Sequence, residues 1–159
     1  MGMSLQLTGD WNRAGVYLKN LAVKLKPAFE GQLYEDGEFV LDTMRRHIDD
    51  QDLDWTPLAE RTVTLKGGDT TIYVETGQLR DGLTVRRIKS SVKGSTLFIG
   101  ASPWKRHEGG MKMSELLIWL EYGTDKIPPR PLVQPTIEEV EDLLKEHWEE
   151  LMKELIKEG

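Results

Sequence analysis

The sequence predicts a mixed helix-and-sheet fold in one domain. Apolar residues recur at helical spacing near both ends of the chain, and the centre alternates like two strands about a glycine turn. A proline-rich stretch, "IPPRPLVQP", separates that centre from the last helix. A chain of 159 residues suits one domain and can bury roughly 70% of its unfolded surface. Only 38% of the residues are hydrophobic and 30% are charged, which favours a small core under a large solvated or partner-facing surface.

The elements follow in order. "SLQLT", Ser4 to Thr8, alternates and predicts a short first strand. Asp10 is placed to cap a helix whose apolar face is Trp11, Ala14, Leu18, Leu21, Ala22 and Leu25. Pro27 is expected to end that helix and begin a second, carrying Phe29, Leu33, Val40, Met44 and Ile48. Gly31 and Gly37 weaken the second helix but admit a close neighbour. Residues 48–68 read as a long polar connection with one helical turn in "LAERTVTLK". A connection of that length in a small domain is usually functional or mobile. "TTIYVETG" begins like a strand. "DGLTVRRIKSS" and "GSTLFIGAS" then form a hairpin turning at "VKGS", with a bulge near Arg86–Arg87 where the alternation changes phase. "WKRHEGGMK" reads as an exposed loop, and "SELLIWLEYG" as a short helix capped by Ser114 and stopped by Gly123. The last helix is assigned to residues 136–157, with Thr136 and Glu139 at capping-box spacing.

Charge and composition exclude several classes. All of the net charge of −6 falls on the last helix: Ile137 to Glu158 holds nine acids and three lysines, leaving a neutral body. A neutral body does not suggest a general nucleic-acid binder. Without cysteine there is no disulfide framework or thiolate site, which fits a reducing compartment. No signal peptide and no apolar run of membrane-spanning length is seen. His47, His107 and His147 are far apart and fit no metal-binding pattern, and neither a phosphate loop nor a nucleophile elbow is present. No catalytic, cofactor-binding or metal-ligating residue is therefore expected.

Two groups remain as contact candidates. The basic run Arg86, Arg87, Lys89 and Lys93 is a candidate nucleic-acid contact, with the wet face of a hairpin as the alternative. Trp104, beside Lys105, Arg106 and His107, is a candidate protein contact, with a loop anchor as the alternative. The prolines of the arm, 127–135, restrict the backbone and make a low-entropy segment. It is read as a rigid spacer that presents Arg130 outward.

"EYGTDKIPPRPLVQPTIEE" resembles the C-terminal signature of small virion-morphogenesis proteins of long-tailed bacteriophages, the tail-completion or head–tail joining proteins of the neck. Glu121, Tyr122, Gly123, Thr124, Ile127, Pro128, Arg130, Pro131, Leu132 and Pro135 stand at matching positions. "ETGQLRDGLTV" and "WTPLAERTVTLK" resemble two further segments of that family, through Thr76, Gly77, Leu79 and Arg80 and through Trp55, Pro57, Leu58, Thr62 and Lys66. The sequence departs at Asp81-Gly82-Leu83 and in the longer, charged "WKRHEGGMKM".

The resemblance implies an α+β fold, a small, mostly antiparallel sheet packed with N-terminal helices and a long C-terminal helix. It implies a non-catalytic protein in a sixfold ring, meeting the head connector and the tail tube or terminator, with passing contact to DNA. Assembly would take place in the bacterial host cytoplasm and the product would sit in the virion neck. Trp55, Pro57, Trp104, Arg106, Ile127, Pro128, Arg130, Pro131 and Leu132 become the expected partner interface. A tail terminator of similar architecture, a small nuclease using Arg86, Arg87 and His107, and a docking module built on the last helix are the other readings.

Overall fold

The structure, a computed structural model, describes residues 9–74, 76–91, 94–107 and 109–158. It is α+β: α1 (Trp11–Asp50), α2 (Glu60–Leu65), α3 (Gln78–Gly82), β1 (Leu83–Ser91), β2 (Gly94–Ala101), α4 (Met113–Tyr122) and α5 (Val133–Glu158). The expected strand at residues 4–8 lies outside the described residues.

The expected break at Pro27 does not occur: α1 runs unbroken for 40 residues with Pro27 inside it. A proline removes one helical hydrogen bond and crowds the preceding turn. Here the segment is held against α5 on both sides of the proline. The Tyr17 hydroxyl donates to the Ile156 carbonyl oxygen at 2.8 Å, and Phe29 packs edge-on to Trp148 with ring centroids 5.6 Å apart. Tertiary packing thus offsets the local cost. Asp10 caps the helix as expected, accepting from the Arg13 amide at 3.0 Å.

β1 and β2 pair antiparallel, and the register slips between Arg87 and Lys89, leaving Ile88 as the extra residue. That is the predicted bulge, one residue along. The hairpin packs on α1 at Gly37, where a Cβ would lie 3.0 Å from both Leu97 Cδ1 and Val85 Cγ1. The missing side chain sets that approach. Gly31 has open space around it and no such function.

The core gathers around the C-terminal half of α1: Leu41, Met44 and Ile48 meet Trp55, Tyr73, Leu79, Leu83, Met113, Leu117 and Leu132. Residues 71–74 form no strand; Gln51 replaces a strand partner there. Its amide accepts from the Ile72 N–H at 2.7 Å and donates to the Ile72 carbonyl at 3.0 Å. Tyr73 then turns inward at φ +66°, an uncommon backbone for a bulky side chain. α5 begins at Val133 rather than 136, so Pro135 lies in its first turn, where a missing N–H costs nothing. Thr136 is fully buried, and its hydroxyl donates to the Leu132 carbonyl instead of capping.

Candidate partner interface

The arm is not a spacer, and Arg130 does not point outward. Arg130 is only 5% exposed. Its Nε donates to the Thr56 carbonyl at 2.7 Å and its Nη2 to the Pro57 carbonyl at 3.1 Å. Burial lowers its pKa, and Tyr73 opposes the shift. Proline blocks donation at the neighbouring positions, and the polar backbone groups at Arg130 and Pro131 are tied down. The Arg130 N–H reaches the Leu120 carbonyl at 2.6 Å. The Arg130 carbonyl accepts from the Tyr73 hydroxyl at 2.6 Å. The Pro131 carbonyl accepts from the Trp55 indole N–H at 2.6 Å. Trp55 and Tyr73 stack obliquely with centroids 4.9 Å apart. Burial, and then the nearby Glu121 charge, pushes the Tyr73 phenol well above its usual range.

Glu121 completes the knot. Its carboxylate accepts from the amides of Leu132, Val133 and Gln134 at 2.7, 2.9 and 3.1 Å. Those are donors that a helix N-terminus leaves unsatisfied, and a negative charge there also suits the helix dipole. The expected capping box is replaced by a carboxylate from another helix. Glu139 serves elsewhere. It pairs with Arg46, which also meets Asp52 at 2.9 Å. Between these groups sits buried His47. Its Nδ1 lies 2.6 Å from Asp52 Oδ1, and its Nε2 lies 3.2 Å from Glu139 Oε2 without hydrogen-bond alignment. The His47 contact holds the Asp52 carboxyl below the usual range. Arg80 does the same for Asp49 through two 2.6 Å hydrogen bonds.

The expected interface residues therefore separate. Trp55, Arg130 and Leu132 are buried and bind the chain to itself. Pro57, Pro128 and Pro131 are exposed, and Ile127 is half-buried. Trp104 is 76% exposed with the Arg86 guanidinium 5.8 Å from its ring centroid, so those two candidates do come together. Arg106 is exposed and donates to the Gly110 carbonyl at 2.6 Å. Arg87 and Lys89 are exposed on β1, Arg87 lying 3.6 Å from Glu30, and Lys93 lies outside the described residues. The connection 52–68 keeps its ends tied, at Trp55 and at Lys66, whose ammonium donates to the Thr71 and Val74 carbonyls. Between them α2 buries no residue, and Leu65 stands out.

Sequence reasoning missed one surface. Ile118, Trp119 and Tyr122 are exposed on one flank of α4, Tyr122 to 79%, just before the arm's exposed prolines. The signal was present in "LLIWLEY", which has more apolar residues than one buried face of so short a helix can use. Among the described residues no helix is long and apolar enough to cross a membrane, and no cluster of His, Cys, Asp and Glu is arranged to hold a metal ion. No protein family, curated protein or solved structure matches the chain.

Proposed function

We infer that this chain is a structural assembly protein of a long-tailed phage, a neck component that joins the finished tail to the DNA-filled head. The observation that carries the reading is the α4–arm junction. The stretch that resembles the neck proteins organises the fold through Glu121, Gly123 and Arg130, and it leaves Trp119, Tyr122, Pro128 and Pro131 on the surface. Aromatic residues beside rigid prolines make a contact surface that loses little entropy on binding. In this reading the function is assembly without catalysis. Copies form a ring between the head connector and the tail tube or terminator, put together in the host cytoplasm and retained in the virion. Arg86, stacked over Trp104, is where passing DNA would be met.

The test is electron microscopy of lysates from a phage, or induced prophage, whose copy of this gene has a stop codon at Trp11. Filled heads beside separate finished tails are expected. Normal infectious particles would overturn the assignment. A Tyr122→Glu change should give the same phenotype with a folded protein, because Tyr122 is 79% exposed.

A further inference from the structure

The N-terminal half of α1 and the C-terminal half of α5 form an antiparallel pair, joined at Tyr17–Ile156 and Phe29–Trp148. Its apolar residues exceed what the pair covers. Trp11, Leu18 and Leu25 are seven apart, and so are Ala14, Leu21 and Ala28, which is a heptad seam over three turns of the repeat. Leu21 and Ala28 are half-buried, but Trp11 and Leu18 are 58% and 62% exposed. On α5, Trp148, Met152 and Ile156 follow at four-residue spacing, with Met152 and Ile156 exposed. Leu25 and Trp148, one from each series, line the same groove, and the helical spacing carries each series along its helix from there. Ala22, Leu25, Phe29 and Leu33 face Trp148 across an open apolar groove that ends against the hairpin at Ser95.

We propose that this groove is a self-association surface: a second copy lays its own α1–α5 pair against it, making a four-helix bundle in which α1 of each copy rests on α5 of the other. Charge selects that occupant and that orientation. Trp11 to Leu33 holds four basic residues and one acid, Glu30, which lines the groove and lies 3.9 Å from Lys26 and 3.6 Å from Arg87, whereas the C-terminal half of α5, Glu146 to Glu158, carries five acids and two lysines. A two-fold axis parallel to the helices sets the basic helix of each copy on the acidic helix of the other, twice over. The alternative axis would stack α1 on α1 and α5 on α5 and oppose like charges. Knobs-into-holes packing between two helical hairpins is the usual way such a seam is completed, and two-fold pairing is the commonest symmetry. The inference does not rest on the neck assignment, since it concerns how copies meet wherever the protein works.

The first measurement is sedimentation of the full chain up to about 100 µM, where any dissociation constant tighter than that populates the complex. Twice the chain mass is expected, with association weakened by salt. Leu18→Glu should lower the association constant at least tenfold with an unchanged circular dichroism spectrum, and Ile118→Glu on α4 should leave it unchanged. A wild-type monomer at the top of the range, or a Leu18→Glu chain that associates normally, overturns the proposal. The second measurement avoids a charged substitution. Because the chain has no cysteine, Leu18→Cys and Ile156→Cys proteins can be mixed and oxidised. A disulfide between the two different variants is expected. A Leu18→Cys homodimer forming in its place would mean α1 on α1 and would refute the arrangement.

Discussion

The arm and the helical stalk are both long-range packings of the C-terminal part of the chain on earlier segments, yet they are built on different principles. The arm, residues 127–135, is held by directed polar bonds: Arg130 reaches the Thr56 carbonyl, and Tyr73, Trp55 and Glu121 each reach a backbone group of the arm. The stalk, the N-terminal half of α1 against the C-terminal half of α5, is held chiefly by apolar contact, with the Tyr17 hydroxyl donating to the Ile156 carbonyl near its end and Asp36 lying 2.8 Å from His147 at its base. An arrangement of buried, satisfied polar groups has one geometry and fails sharply when a member is lost. An apolar face tolerates exchange and can be extended by a further helix. The arm therefore specifies the protomer, and the stalk is free to meet another molecule.

The largest effect should follow Glu121→Ala. Three amides at the start of α5 would lose one charged acceptor, one of them in the buried interior and two partly buried. Hydrogen bonds to charged groups contribute roughly 1.5–3 kcal/mol each and do not add fully, so a loss of about 3–5 kcal/mol is expected. For a chain of this size that lowers Tm by on the order of 10 °C. Thermal unfolding followed by circular dichroism measures it. A drop of only a degree or two would show that water replaces the carboxylate and that the arm is no more specified than the stalk. Arg130→Glu should rank beside it, because it buries an acid among the carbonyl oxygens of Thr56 and Pro57. An intact, stable Arg130→Glu protein would restore the outward-facing arm that the sequence suggested.

Tyr73→Phe should cost less, about 1–2 kcal/mol. It removes the hydroxyl that donates to the Arg130 carbonyl but keeps the ring against Trp55. Chemical denaturation resolves a loss of that size. A neutral result would place the stabilisation in ring packing rather than in the bond.

The gap between local and distant information explains what the sequence could tell. Cap, period and turn signals act over a few residues. Asp10 as a cap, the hairpin, the bulge near Arg87 and the Gly123 stop were therefore legible, whereas of the face expected for the first helix only Leu21 and Leu25 are half-buried. Gly123 sits at φ +74°, where a Cβ would lie 2.8 Å from the Ile127 carbonyl oxygen, so the chain could hardly place another residue there. Pro27 misled because its local cost is real and only the contact with α5 offsets it. Thr136 and Glu139 have the right spacing for a capping box, but a carboxylate eleven residues before Leu132 took the amides. Arg130 among prolines looks exposed by composition. Its acceptors lie more than seventy residues away, where no periodicity reports them.

Acid should weaken the body through Asp49 and Asp52. Both have folded pKa values below the ordinary aspartate value of about 3.9, Asp49 through Arg80 and Asp52 chiefly through His47. A depressed carboxyl stabilises the fold fully above its unfolded pKa and loses that contribution as pH falls through the folded one. Stability should hold steady from neutral pH to about 5 and then fall below about pH 4. Asp49→Asn should flatten that fall and lower stability at pH 7 only slightly, since the pair is half-exposed. A fall that begins well above pH 5 would rule out these two carboxyls as its cause.

The smallest effect should be the most telling. At a dilution where the wild type sediments as a monomer, Leu18→Glu should change unfolding free energy by less than about 0.5 kcal/mol, because a residue that exposed gives up little packing. Val23→Glu, at a still more exposed position of α1 outside the heptad seam, should behave the same. The two variants should then part when the concentration is raised: Val23→Glu should associate like the wild type and Leu18→Glu should not. Should Leu18→Glu unfold the dilute monomer, Leu18 already belongs to the protomer's own packing, and the contrast with the arm disappears. Should both variants associate alike, the seam faces water and the heptad spacing is a property of α1 alone.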